Sequence, residues 1–304
     1  MRVAAIDCGT NSIRLLIADV DREELTDVTR QMRIVRLGEG VDRTGRISDA
    51  ALARTRAALT AYGEEIADHG VTRVRMCATS ASRDASNADD FRAMVRGVIG
   101  VDPEVISGRQ EAHLSFLGAV NGLTAEPPYL VFDLGGGSTE FVTGRTDVEH
   151  AISMDIGCVR MTERHLPGDP PSAAQIDAAS AEITEAVDIA LAAVPGRDSR
   201  TLVGLAGTVT TVTALALGLP EYDANRIHHA RVSYDAVAKV TTDLLGMTVA
   251  ERLALPVMHP GRADVIGAGA LILRTIMERS GHSSLVASEH DILDGIAFGL
   301  AAAP

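Results

Sequence analysis

The sequence predicts an α/β fold built from two related domains. Three observations predict it. Strand-like and helix-like segments alternate along the 304 residues, the pattern of layered α/β proteins. The same short pattern occurs twice. Ala4-Ala5-Ile6-Asp7-Cys8-Gly9-Thr10-Asn11-Ser12 matches Val131-Phe132-Asp133-Leu134-Gly135-Gly136-Gly137-Ser138, an apolar strand, then Asp, any residue, Gly, two small or polar residues and Ser. The offset between Asp7 and Asp133 is 126 residues, too long for a solenoid unit, and this points to two domains that open alike. Asn121–Pro128, with its glycine and two prolines, is the boundary between them.

The elements follow in order. Val3–Ile6 and Ile13–Val20 are apolar runs around a polar turn and read as strand, turn, strand. Ser48 to His69 reads as a helix capped by Ser48, with Leu52, Leu59, Tyr62 and Ile66 near one face and Gly70 as its stop. Val71–Thr79 and the short Glu104–Ser107 read as strands, and a helix is expected from about Gln110. Past the boundary, Tyr129–Phe132 and Thr201–Leu205 read as strands. Ser172–Val194 reads as the clearest helix, with Ser172 and Gln175 fitting a capping box. Disorder is expected only at Ala301–Pro304.

Composition removes several functions. Hydrophobic residues make up 46% and charged residues 23%, an ordinary globular balance. No apolar stretch approaches the roughly 20 residues of a membrane span. Asp7 interrupts the first apolar run, so no secretory leader is read. A cytoplasmic protein without a membrane partner is expected. The net charge of -13 argues against non-specific nucleic-acid binding, which needs a basic surface. Lys239 is the only lysine, which removes a P-loop with its phosphate lysine. Aromatic residues are 3%, with no tryptophan, so base stacking is poorly provided for. Cys8, Cys77 and Cys158 are too few and scattered for a zinc site or disulfide framework, and the nine histidines show no metal-ligand spacing.

The repeated turn suits phosphate. Glycine lets the backbone approach an anion, and its amides can converge on phosphate oxygens. Thr10, Ser12, Ser138 and Thr139 offer hydroxyls. A plain hairpin turn is the alternative, and the run Gly135-Gly136-Gly137 weighs against it, because three consecutive glycines are entropically expensive. Asp7 and Asp133 would repel phosphate unless a divalent cation mediates, and oxygen ligands of this kind favour Mg²⁺.

These blocks resemble the exopolyphosphatase and guanosine pentaphosphate phosphatase family, PPX/GppA. Asp7 to Ser12 and Asp133 to Glu140 resemble its two phosphate motifs, Ala78 to Ala85 and Ile106 to Ala112 two further segments. Gly204 to Thr208, Pro260 to Asp264 and Ser288-Glu289-His290 resemble its later motifs, in the family's order. The resemblance implies a two-domain actin-like ATPase (ribonuclease H-like) fold with an interdomain active-site cleft. It divides the chain into 1-122 plus 290-304 and 123-289, with the last helix packed on the first domain. It also implies a homodimer. Longer family members carry an additional helical C-terminal region, which places this chain with a short, two-domain form.

On this resemblance, Glu111 activates the attacking water, and Glu140 and Asp133 hold Mg²⁺ or the water, with Asp7 in the metal's surroundings. Another divalent cation or an added monovalent one would serve the same charges. Arg83 clamps a phosphate and stabilises charge on the transferring phosphoryl group, and Arg262 is a second candidate, with an ion pair to Asp264 as the alternative. Thr10, Asn11, Ser12, Gly135, Gly136, Gly137, Ser138, Thr139, Gly207 and Thr208 bind substrate. The implied function is release of terminal phosphate from inorganic polyphosphate by in-line attack of water. The alternatives are a guanosine pentaphosphate 5′-phosphohydrolase sharing this machinery, a sensor that binds (p)ppGpp or polyphosphate without turnover, and an ATP-dependent kinase of the same superfold. The motif order and the glutamates argue against the last two.

Overall fold

The computed structural model describes residues 1–21 and 24–302. Its strands are β1 (Arg2–Cys8), β2 (Ser12–Asp21), β3 (Glu24–Ile34), β4 (Val74–Ala78), β5 (Glu104–Val105), β6 (Tyr129–Leu134), β7 (Thr139–Gly144), β8 (Val148–Met154), β9 (Thr201–Leu205), β10 (Arg231–Ser233) and β11 (Ser284–Ala287). Its helices are α1 (Val41–Thr44), α2 (Asp49–Asp68), α3 (Ser80–Asp84), α4 (Ala88–Ile99), α5 (Gly108–Val120), α6 (Cys158–His165), α7 (Ala173–Ala193), α8 (Ala206–Ala216), α9 (Ala224–Ile227), α10 (Tyr234–Gly246), α11 (Val249–Leu253), α12 (Ile266–Ser280) and α13 (Ile292–Ala302). Ala301 and Ala302, part of the tail expected to be disordered, end α13. Ala303 and Pro304 lie outside the described residues.

Two compact units emerge, Met1–Asn121 with Asp291–Pro304, and Gly122–His290. Gly122 and His290 thus fall with the second unit. The first holds a sheet of order β3-β2-β1-β4-β5, the second a sheet of order β10-β11-β9-β6-β7-β8. The same core runs through both. An antiparallel β1-β2-β3 meander is matched by β6-β7-β8, and the strand parallel to the opening strand is β4 in one and β9 in the other.

β1 and β6 are buried on both faces because each has neighbours on either side and helices above and below. Along β1, Ala4 and Ile6 face a core with Leu59 of α2 and Phe91 of α4. Val3 and Ala5 face the opposite core, with Leu114 of α5 and Ile292 and Ile296 of α13. That alternation is the two-residue period of a strand.

The caps set the helix starts. α2 and α7 begin after Ser48 and Ser172, whose side chains accept from the amides of Ala51 and Gln175. α5 begins two residues before the expected Gln110. The Ser107 side chain accepts from Gln110 N–H while the Gln110 side chain accepts from Ser107 N–H, a closed capping box that draws Gly108 and Arg109 into the first turn. The strand expected over Val71–Thr79 is confined to Val74–Ala78.

The contact between α5 and α13 leaves no room for a side chain. A Cβ on Gly295 would lie 2.1 Å from the Leu114 carbonyl oxygen, and one on Gly118 would lie 1.9 Å from that of Asp291. Gly295→Ala is therefore expected to force the helices apart and cost about 1–3 kcal/mol, checked by urea unfolding. An unchanged midpoint would mean that the helices tolerate separation.

Candidate active site

The first turn joins β1 to β2. Gly9 N–H donates to Ser12 O at 2.9 Å and closes it. The carbonyls behind the turn are tied back. Thr10 O accepts from Gly38 N–H at 2.9 Å, and Asn11 O accepts from the amides of Val35 and Arg36 at 3.1 and 2.9 Å. Arg36 pays for this with a φ of 49°, the left-handed region that costs a non-glycine residue about 1 kcal/mol. Gly38 is required because a Cβ there would meet the Thr10 methyl at 2.3 Å.

The second turn, between β6 and β7, repeats the device. Gly135 N–H donates to Ser138 O at 3.0 Å. Cys158 N–H donates to Gly135 O at 3.0 Å, and the amides of Val159 and Arg160 donate to Gly136 O at 2.9 and 3.1 Å. Arg160 Nε donates to Gly137 O at 2.7 Å. Gly157 must be glycine here, since a Cβ would stand 2.3 Å from Gly136 O. A trans peptide turns each N–H opposite to the preceding carbonyl. With three carbonyls held towards the start of α6, the amides of Gly136, Gly137 and Ser138 face the other way. Among the described residues these three amides donate to no protein acceptor. Amides turned the same way can donate to one anion.

Register sets the charges beside the turns. Asp7 lies opposite Arg14, and Asp133 lies opposite Glu140, so the repeat places arginine in one unit where the other has glutamate. In the first unit Arg14 donates to Asp7 Oδ2 from Nε at 3.1 Å and from Nη2 at 2.8 Å, and its Nη1 donates to Asp291 Oδ2. Burial nonetheless raises the Asp7 carboxyl above the ordinary aspartate range, against the pull of Arg14. In the second unit Asp133 and Glu140 are only 7% and 1% exposed, and Glu140 Oε1 accepts from Ser153 Oγ at 2.7 Å. Like charges directly opposite in a sheet are destabilising. A hard divalent cation relieves them, so the donor set fits Mg²⁺, which takes one or two carboxylates and keeps its waters. Among the described residues no three His, Cys, Asp or Glu side chains gather as a metal cluster.

Glu111 sits in the first turn of α5, 8% exposed. Arg83, at the end of α3, donates from Nη1 to Glu111 Oε2 at 2.9 Å and to Ile106 O at 2.9 Å. The structure thus brings Arg83 and Glu111 together, and holds the arginine through one nitrogen.

The remaining candidates separate into two groups. Arg262 Nη1 donates to Thr211 Oγ1 at 2.7 Å, and its guanidinium covers Gly207 so closely that a Cβ there would be 2.0 Å from Nη2. Ala206, just before it, holds a φ of 70° and turns β9 into α8. One hydroxyl expected to face phosphate is spent inside, and a second belongs to a buried side chain. Thr139 Oγ1 donates to Ile156 O at 2.5 Å, which fastens the turn to the segment before α6. The Thr208 side chain is buried, packed against Gly269.

Sequence reasoning missed Arg14, Asp291 and Arg160. Arg14 had a signal, since a turn closed from Gly9 to Ser12 fixes Asp7 opposite residue 14. All three cysteines are buried thiols, and burial pushes Cys77 up to about 12 and Cys158 up to about 11, which leaves no nucleophilic thiolate near neutral pH. A cavity of about 400 Å³ lined by Leu215, Val240, Leu244, Met247 and Leu255 contains none of the candidate residues.

Two mixed sheets built on one strand topology, each with a phosphate-sized turn after its opening strand, define an actin-like protein of two domains. Comparison with known proteins narrows the class. Residues 16–300 match the Ppx/GppA phosphatase family, and the chain belongs to that family. It is 54% identical to a Mycobacterium tuberculosis protein named Exopolyphosphatase 2, over 99% of this chain and 98% of the other. A solved exopolyphosphatase-like protein superposes with a TM-score of 0.95 at 46% identity, covering 98% of this chain and 97% of that one. The Aquifex aeolicus family member superposes with a TM-score of 0.83 at 32% identity, covering 98% and 97%.

Removing Arg14 strands two buried carboxylates. Arg14→Met is expected to cost roughly 3–5 kcal/mol, measured by denaturant unfolding at neutral pH. A loss below about 1 kcal/mol would show that Asp7 and Asp291 are stable without it.

Proposed function

We propose that this chain is an exopolyphosphatase that releases terminal orthophosphate from inorganic polyphosphate. The observation that carries the reading is the row of amides at Gly136, Gly137 and Ser138 beside the Asp133–Glu140 pair. It provides for a phosphate end and for a cation. The name of the full-length relative supports polyphosphate as the chain that bears this end.

The amides of the second turn bind the oxygens of the terminal phosphate, and the first turn, with Thr10, Asn11 and Ser12, offers a second set of donors. Glu111 orients the attacking water and accepts its proton. As the water oxygen bonds to the terminal phosphorus, the bond to the bridging oxygen breaks, and the shortened polyphosphate departs with that electron pair. Arg83 fixes the Glu111 carboxylate, and its remaining donors answer charge on the phosphoryl oxygens. Asp133 and Glu140 would hold Mg²⁺, which would neutralise phosphate charge and acidify water. Asp7, already paired with Arg14, stays outside that set. Phosphoryl transfer to water rests on positioning and electrostatics, so no covalent nucleophile is required.

Guanosine pentaphosphate presents the same terminal group to the same donors, and (p)ppGpp as substrate or ligand is the second reading. Homodimerisation and a cytoplasmic location are proposals that rest on the family resemblance. Among the described residues no helix is long and apolar enough to cross a membrane.

The test is phosphate release from polyphosphate of short and long chain length and from guanosine pentaphosphate, with Mg²⁺. Release mainly from polyphosphate is expected. Release mainly from the nucleotide would replace this reading with the second. Glu111→Gln is expected to lower kcat roughly 100-fold or more with the unfolding midpoint kept, and near-normal turnover would remove Glu111 from its role. EDTA is expected to stop release and added Mg²⁺ to restore it, while activity that persists in EDTA would contradict the cation.

A further inference from the structure

The three amides of the second turn are not held alike. The Gly136 amide is set by the carbonyl of Gly135, bound by Cys158 N–H. The Gly137 amide is set by the carbonyl of Gly136, bound by the amides of Val159 and Arg160. Both restraints are backbone to backbone and survive any change of side chain. The Ser138 amide is set by the carbonyl of Gly137, and the bond recorded there comes from a side chain, Arg160 Nε at 2.7 Å. Glycine at 137 leaves the peptide that follows it free to rotate, so a flip costs little once that bond is gone.

We propose that Arg160 is the positioning residue that aims the Ser138 amide at the phosphate, a role that rests on the reading of this turn as a phosphate cradle. Two further features suit it. The side chain is 12% exposed, and its Nη2 lies 3.9 Å from the exposed Asp155. A separation that long contributes little, whereas the Nε bond to Gly137 O is short, at 2.7 Å. Arg160 also follows Val159 in α6, whose first amides hold the other two peptides. One short segment therefore sets all three donors.

The test uses the full chain with ¹⁵N-labelled glycine and serine, titrated with tripolyphosphate, beside steady-state hydrolysis of polyphosphate. In the wild type the amides of Gly136, Gly137 and Ser138 are expected to shift together. In Arg160→Ala the Ser138 response is expected to vanish while that of Gly136 persists, and kcat/KM to fall about 10-fold or more. A general loss of packing would weaken all three responses alike. Arg160→Lys keeps the charge but puts a methylene where Nε stands, so it is expected to lose the Ser138 response too, and it serves if the alanine variant does not fold. A wild-type Ser138 response in either variant, an unchanged kcat/KM in Arg160→Ala, or no response at any of the three amides of the wild type would overturn the proposal. Amide shifts without phosphate release by the wild type would instead remove the hydrolase reading, and the Ser138 response would still decide the role of Arg160.

Discussion

A planar peptide that gives its carbonyl to one neighbour turns the next amide to the opposite side. Both turns rest on this constraint. Behind the first, the segment Val35–Gly38 takes the carbonyls of Thr10 and Asn11. Behind the second, Cys158–Arg160 takes those of Gly135, Gly136 and Gly137. The donors that could meet a phosphate are therefore oriented before any ligand arrives, and the ordering cost is met during folding. The backing segments carry the signs of this close fit. Gly38 and Gly157 have no space for a Cβ, and Arg36 holds a left-handed backbone, the kind of local strain that gathers at functional positions.

The two turns share a backbone and differ in charge. The residue opposite the aspartate is Arg14 in one and Glu140 in the other. The first pairing is satisfied within the protein, by an arginine that also binds Asp291 at the entry to α13. The second sets two buried carboxylates opposite each other, where the proposed cation would bind. A duplicated element has thus kept its geometry while one cross-strand position holds arginine in one copy and glutamate in the other.

Much of this was legible in the sequence. The paired Asp-x-Gly turns, the strands that lead into them, the boundary and the capped helices α2 and α7 all have local signatures. Glu111 was legible only through its motif, because a carboxylate in a first helical turn is otherwise ordinary. The rest depends on distant partners. Thr139 and Thr208 look like phosphate donors in sequence, yet Thr139 gives its hydroxyl to Ile156 and Thr208 is buried against Gly269. Arg160 was invisible because its partner is a backbone carbonyl 23 residues earlier. The strand β3 escaped because its side chains are mostly half-exposed and mixed in polarity, so no apolar period marks it.

In the proposed function one turn is completed by arginine and the other would be completed by a divalent cation. The direct measurement is Mg²⁺ binding, by calorimetric titration, to the wild type, Glu140→Gln and Asp7→Asn. Glu140→Gln is expected to weaken binding about tenfold or more, while Asp7→Asn leaves it close to that of the wild type. Loss of Mg²⁺ in Asp7→Asn with retention in Glu140→Gln would place the cation at the wrong turn and contradict the account.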